Sequence, residues 1–392
     1  MDFQYPLRYF YEKFFMMFGY SMVAKRSQHL TAGFLRGVFA VSASLLCSLS
    51  LNAKESVEKS RHPNNDQVQG RDNGLPNVSA RFHPDSSSFD ILADVLVWSA
   101  QESGSENWAE VITASGATTD CGIRDVHFGW NAGFRVGLGY GMRHDQWDTQ
   151  LYYTWFRTRG NDRVSSTPGS VYSAFLGNFY IDNQSGAGIS GIAYREASMK
   201  WMIHFNMFDW ELGRNYRVSR ALSLRPFIGL KGGWIDQAIH TKWHNPNRTG
   251  AEFFNTGREN LKNNFWGIGP SAGLNTKWDL VVRQNHSFSL FGDISAAIMW
   301  GHWTLGDVYK NDIQQEVLVK LSHIKSAASM LRTFMGFGWD TSSSRDRYLF
   351  SLRLGYEMQI WLDQLQFYSF DAGRLDNALT LQGGTLELRF DF

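Results

Sequence analysis

Apolar and polar positions alternate with a period of two along much of this chain, the signature of strands with one apolar face. The clearest stretch is WNAGFRVGLGYGM, residues 130–142. Trp130, Ala132, Phe134, Val136, Leu138, Tyr140 and Met142 share one face, while Asn131, Gly133, Arg135, Gly137, Gly139 and Gly141 share the other. Aromatics near both ends of the apolar face, opposite a nearly bare face, fit a strand that crosses a bilayer beside a lumen. Residues 346–360 repeat the pattern, with Tyr348, Phe350, Leu352, Leu354, Tyr356 and Met358 against Ser351, Arg353, Gly355, Glu357 and Gln359. The chain ends the same way: Leu386, Leu388, Phe390 and Phe392 alternate with Glu387, Arg389 and Asp391.

The alternation predicts about ten strands, beginning with 89–99, 130–142 and 146–158. In the third, Trp147, Leu151, Tyr153 and Trp155 oppose Asp148, Gln150 and Thr154. The fourth, 195–208, sets Met199, Trp201, Ile203, Phe205 and Met207 towards lipid and Lys200, His204 and Asn206 towards the lumen. The fifth, from about 220, sets Leu222, Leu224, Ile228 and Leu230 against Ser223, Arg225, Gly229 and Lys231. Strands over 262–276, 286–301 and 326–340 place Asp293 and Arg332 on the polar side. Pro226 and Pro270 fall mid-strand, where a missing N–H calls for a bulge. The links alternate between short (143–145, 209–220, 277–286, 341–345) and long (100–129, 159–194, 238–261, 302–325, 361–377). Membrane barrels have short periplasmic turns, longer outer loops and an even strand count. The expectation is an all-β fold: a transmembrane, antiparallel, up-and-down β-barrel over 88–392, in the bacterial outer membrane, with both termini periplasmic. Residues 171–181 offer extra strands, which would make twelve.

Composition agrees. Gly (37), Phe (29), Trp (15) and Tyr (15) are abundant and Pro (8) is scarce, as long strands and interfacial aromatic belts require. The balance of 38 Lys+Arg against 37 Asp+Glu lacks the basic footprint of a nucleic-acid binder. Lys25 and Arg26 precede an apolar run from about Val38 to Leu51, and Ala53 offers a small residue for cleavage, so residues 1–53 read as an export signal, with Met22 as an alternative start. That run is too short for a comfortable helical span, and Arg36 interrupts any longer one. Residues 54–87 read as a polar periplasmic segment with no core of its own. Cleavage would leave Cys121 as a single cysteine, a free thiol or an intermolecular link.

The segments WNAGFRVGLGY (130–140), WDTQLYYTWF (147–156), DWELGRNY (209–216), LSLRPFIGLKGGWIDQ (222–237), FWGIGPSAGLNTKW (265–278) and GYEMQIW (355–361) resemble the pore-forming outer-membrane proteins typified by the Legionella major outer membrane protein, whose relatives in chlamydia-like bacteria are called MOMP-like. The resemblance spans roughly 89–392. It implies an outer-membrane barrel with a porin-like role and brings no catalytic motif.

The lumen-facing candidates are Arg135, Lys200, His204, Arg225, Lys231, Asp293, Arg332, Arg353, Glu357, Glu387 and Arg389. Rings of charge bias ion selectivity in pores. The competing reading is that these groups pair with one another inside a narrow barrel. The excess of bases in this set points to mild anion preference. Asp209, Glu211 and Arg214 read as a structural ion cluster in a turn, not a metal site. The sequence carries no nucleotide-loop, zincin, paired-cysteine or serine-elbow motif, so no cofactor, metal or enzymatic activity is expected. A barrel hydrolase would need His204, His302 or His323 near a rim. The leading expectation is a channel for passive diffusion of ions or small solutes; a structural or adhesive barrel using its long links is the alternative. Outer-membrane lipid, the barrel-assembly machinery acting through Phe392, and small solutes or ions are the expected partners, and a homo-oligomer is open to such a barrel.

Overall fold

In a computed structural model of the chain, residues 88–392 are described apart from 104–107, 116–117, 143–144, 167–169, 177–178, 182–187, 191, 247–253, 284, 343–347 and 370–372. The expected signal (1–53) and polar segment (54–87) lie outside the described residues. Ten long strands form a ring: β1 Ser88–Glu102, β2 Asn131–Gly141, β3 Trp147–Ser165, β4 Ala193–Arg214, β5 Leu222–Pro246, β6 Thr256–Arg283, β7 His286–Asn311, β8 Glu316–Ser342, β9 Leu349–Ser369 and β10 Gly373–Asp391. Each pairs antiparallel with its neighbour in the chain, and β10 pairs with β1 to close the barrel. At the seam, Phe89 and Phe392 exchange backbone bonds of 2.9 and 2.8 Å. Closure removes the unpaired edges that an open sheet would present. Residues 171–181 do not bring the ring to twelve. Val171–Ser173 pairs with an added strand, Ala109–Ser115, and with the start of β4, outside the ring. Among the described residues, no helix is long and apolar enough to cross a membrane.

The strands are longer than a membrane needs. A spanning strand takes about 9–11 residues, whereas β6 has 28 and β8 has 27. The expected long links 238–261 and 302–325 are therefore mostly strand, and β5–β6 and β7–β8 form hairpins that run beyond the bilayer. The side-chain pattern marks where the bilayer stops, because its sign flips there. Along β6, Arg258, Asn260, Lys262 and Asn264 are exposed while Leu261 and Phe265 are buried inside. From Trp266 onward, Trp266, Ile268 and Ala272 are exposed, and Gly267, Gly269, Ser271 and Gly273 face inward. Below Trp266 the outside meets lipid and the inside is small or polar; above it, the outside meets water and the inside is an apolar core. Trp155, Asn206, Trp234, Trp266 and His302 lie side by side in register across β3–β7 at this level. At the tight-turn end, Phe89, Tyr140, Tyr348, Phe390 and Phe392 make the opposite belt, with ring centroids 4.9–6.3 Å apart.

Neither proline needs the bulge the sequence suggests. Pro226 lies one residue outside the β4–β5 ladder, which begins at Phe227. At Pro270 the β6–β7 ladder lapses between Ile268 and Ser271 and resumes in the same register.

Candidate functional site

The barrel interior divides into two storeys. The hairpin half is filled by apolar side chains. Trp98, Phe156, Trp201, Ile203, Phe205, Ile235, Ile239, Trp243, Phe265, Trp303 and Trp361 are all buried there, packed as one cluster. Their indole N–H groups are satisfied inside the layer: Trp98 donates to Thr385 (3.1 Å), Trp201 to Gln237 (2.9 Å), Trp303 to the Gln364 carbonyl (3.2 Å) and Trp361 to Gln359 (3.3 Å). Rings that bury their bodies and still satisfy their N–H pack as a rigid core. From the β3–β4 link, Val171, Phe175 and Leu176 join this layer. Phe175 and Leu176 are buried, and the Leu176 N–H donates to Glu259 at 2.9 Å.

The tight-turn half holds a cavity of about 570 Å³, which opens among Ser88, Met142, Asn215 and Leu349 and rises to Phe205, Met207 and Gln359. Its wall is charged. Arg135 sits inward on β2, donating to Asp94 (2.8 Å), Glu357 (2.7 Å) and Thr154 (3.0 Å). Glu357 also accepts from Arg332 (2.6 Å), Gln359 (3.0 Å) and Thr385 (3.0 Å). Nearer the turns, Arg225 donates to Asp148 (2.5 Å), Glu211 (2.8 Å) and Asn275 (2.9 Å). Lys231 pairs with Asp209, and Lys277 with Asp340 at 2.5 Å. Arg353 lies between Glu387 (3.5 Å) and Asp293 (3.9 Å), and Arg389 between Asp391 (2.9 Å) and Asp90 (3.3 Å). Buried charge is tolerable when each ion is paired and hydrogen-bonded, and alternation of small residues with these charges along the strands makes room for the pairs.

Arg135, Arg225, Lys231, Asp293, Arg332, Arg353, Glu357, Glu387 and Arg389 all project into the interior, as their strand positions suggest. Lys200 and His204 do not. On β4, Met199, Trp201, Ile203, Phe205 and Met207 are the inward set, and Lys200 and His204 point outward. The reason is the polarity flip: this part of β4 lies beyond the bilayer, where the apolar face turns inward. His302 and His323 are also outside, with ring centroids 5.4 Å apart. Asp209 and Glu211 lie within β4, not in a turn, and their partners are Lys231 and Arg225, while Arg214 donates to the Asp145 carbonyl at 3.0 Å.

Sequence reasoning missed several wall residues. Asp148 and Asp391 stood on the polar faces of their strands and were recoverable by the same rule. Asp90 and Asp94 were hidden because Leu92, Leu96 and Trp98 share their inward face. Asp340 falls at the very end of a predicted strand, and Lys277 in the short link that follows one. With these, the cavity is lined by eight basic side chains (Arg135, Arg217, Arg225, Lys231, Lys277, Arg332, Arg353, Arg389) and nine acidic ones (Asp90, Asp94, Asp148, Asp209, Glu211, Asp293, Asp340, Glu387, Asp391), with Glu357 fully buried behind them. The basic excess behind the expected anion preference is gone.

A closed ten-stranded ring with a lipid-facing apolar band between two aromatic belts and a charged interior defines a transmembrane β-barrel of the outer-membrane class. The family model described as the Legionella pneumophila major outer membrane protein precursor matches residues 83–392, and the chain belongs to that family. No individually curated protein matches it. Among solved structures, the chain is similar to the outer-membrane protease OmpT of Escherichia coli (10% identity, covering 78% of this chain and 96% of that one, TM-score 0.37). It is also similar to a major outer membrane protein of Thermus thermophilus (7% identity, 78% and 100% covered, TM-score 0.28) and to a Pseudomonas aeruginosa FadL homologue (11% identity, 82% and 95% covered, TM-score 0.28).

Proposed function

We propose that this protein is an outer-membrane channel for ions and small polar solutes, closed in the form described by its apolar storey, with the tight turns and both chain ends on the periplasmic side. The observation that carries this is the charged cavity of about 570 Å³ on the barrel interior, open at the turn end and capped by packed aromatics. A barrel built only as an anchor has no need of a hydrated, charged chamber. Ten strands leave little lumen compared with the sixteen to eighteen of aqueous porins, so the open path is narrow and passage requires rearrangement of the cap. Near-equal numbers of wall acids and bases support weak ion selectivity. No catalytic step enters the proposal.

Planar-bilayer recording of the refolded protein tests it. The wild type is expected to show brief openings of small conductance. The double variant Phe205→Ala/Trp361→Ala, which removes two rings that meet at 5.4 Å at the base of the cap, is expected to open longer and conduct several times more current. If neither protein passes current at any voltage, the chamber is a dead end and the barrel is a structural or adhesive one.

A further inference from the structure

We propose that the outer flank of β3–β6, just beyond the aromatic belt, is a docking surface for an outer-leaflet lipid with a phosphorylated headgroup. Trp155, Trp234 and Trp266 share one register row on that flank. Two residues farther along the strands, Arg157 lies directly opposite His204, which lies opposite Asp236. Two residues farther again come Arg159 on β3 and Lys262 on β6. Lys200 lies on the same outward face of β4, diagonal to Arg159. On β3 and β4 such positions sit within about 5–8 Å of one another, and Lys262 lies three strands from Arg159, roughly 14 Å across the sheet.

The height of these cations fits a headgroup. A strand advances about 3.3 Å per residue, and a tilt of 35–45° reduces this to roughly 2.5 Å along the barrel axis. Arg157 then stands about 5 Å beyond the tryptophan row, and Arg159 and Lys262 about 10 Å. The headgroup layer of one leaflet is roughly 5–8 Å thick, so Arg157 stands within it and Arg159 and Lys262 just beyond it, while Lys200, opposite Asn161 and about 15 Å past the row, reaches back towards it on a flexible apolar stem. The flank is unbalanced in charge. Glu196 pairs with Arg163, and Asp236 faces His204, so Arg157, Arg159, Lys200 and Lys262 have no carboxylate partner among the described residues. An ordinary water-facing sheet surface mixes both signs. Several unpaired cations grouped directly above tryptophans complement a molecule with acyl chains below and phosphates above. The inference rests on the proposed orientation, in which the hairpin end faces outward.

The test is lipid binding by the full chain refolded in neutral detergent, read by native mass spectrometry with three probes: bisphosphorylated lipid A, the same lipid stripped of phosphate, and inorganic phosphate. The wild type is expected to prefer the phosphorylated lipid at least about tenfold, the product of several exposed ion pairs each contributing a factor below about five. R157Q/R159Q/K200Q/K262Q should lose the preference while still migrating as a folded barrel before heating. K200Q/K262Q should fall between the two, which keeps the test decisive if the quadruple variant fails to fold. Equal binding of both lipids by the wild type, or a preference that survives the substitutions, would overturn the proposal. So would displacement of the lipid by inorganic phosphate at equal concentration, which would make the surface one for soluble anions. Binding in detergent does not depend on orientation in the membrane, so its failure is distinct from a reversed topology.

Discussion

Inside the hairpin storey, Asp307 and Glu259 place two carboxyl groups in the apolar interior, far enough beyond Trp266 and Trp300 to lie outside the bilayer. Burial and the neighbouring Glu259 carboxylate push the Asp307 carboxyl up to about 10 from its ordinary 3.8. At neutral pH the pair therefore holds a proton that the unfolded chain has already lost. The folded state binds more protons across this window, so stability falls as pH rises from about 4 to about 10 and is level outside it. The effect is local to the mouth, because Glu259 also accepts from Leu176 at 2.9 Å and Thr241 at 3.2 Å. Asp307→Asn keeps a donor for Glu259 and removes the titration. Hydrogen exchange at the outer ends of β6 and β7 is expected to show protection that declines between pH 5 and pH 9 in the wild type and stays flat in the variant. Parallel declines in both proteins would mean that the pair does not govern the mouth.

At the scale of strands, one rule read from the sequence accounts for most of the barrel and also for its largest error. Period-two alternation located all ten ring strands, including the clean pairs 130–142 and 346–360, because side-chain direction in a strand is set by geometry alone. The rule does not say which face meets lipid. Within the bilayer the apolar face is outside; beyond the belt it is inside. The stretch 195–208 straddles that change, so its alternation alone sets Lys200 and His204 towards the lumen when they in fact face outward. The long hairpins resemble loops in sequence for the same reason: their outward positions, such as Asn260 and Lys262, are polar. A paired test locates the change physically. Val136 faces outward near the middle of β2, and Asn260 faces outward above the belt on β6. Val136→Arg is expected to cost about 2–4 kcal/mol in a folding equilibrium into lipid vesicles, the range for arginine on the lipid face near mid-depth. Asn260→Arg is expected to change it by less than about 0.5 kcal/mol. A comparable cost for both would place Asn260 in the bilayer and move the belt.

For the whole molecule, the sequence made the class legible and the site only half so. The signal-like N-terminus, the final Phe392 strand and the alternating links pointed to an outer-membrane barrel, and the family match agrees. The charged interior was legible wherever a charge stood on the small face of a clean strand, as at Arg135 and Glu357. The cap was not, because the residues that fill it come from seven or more strands, and only closure of the ring brings them together. The proposed orientation rests on the asymmetry between ends: tight turns and the Phe89–Phe392 seam at one, extended hairpins and the added strands at the other. Cys121 reads it directly. It lies exposed on the added strand Thr118–Arg124, which pairs with Ala109–Ser115 at the hairpin end. A membrane-impermeant maleimide applied to intact cells is expected to label the protein, and Cys121→Ser should abolish the label. Labelling that appears only after the cells are broken would put the hairpins in the periplasm, and the cationic flank would then face the wrong leaflet.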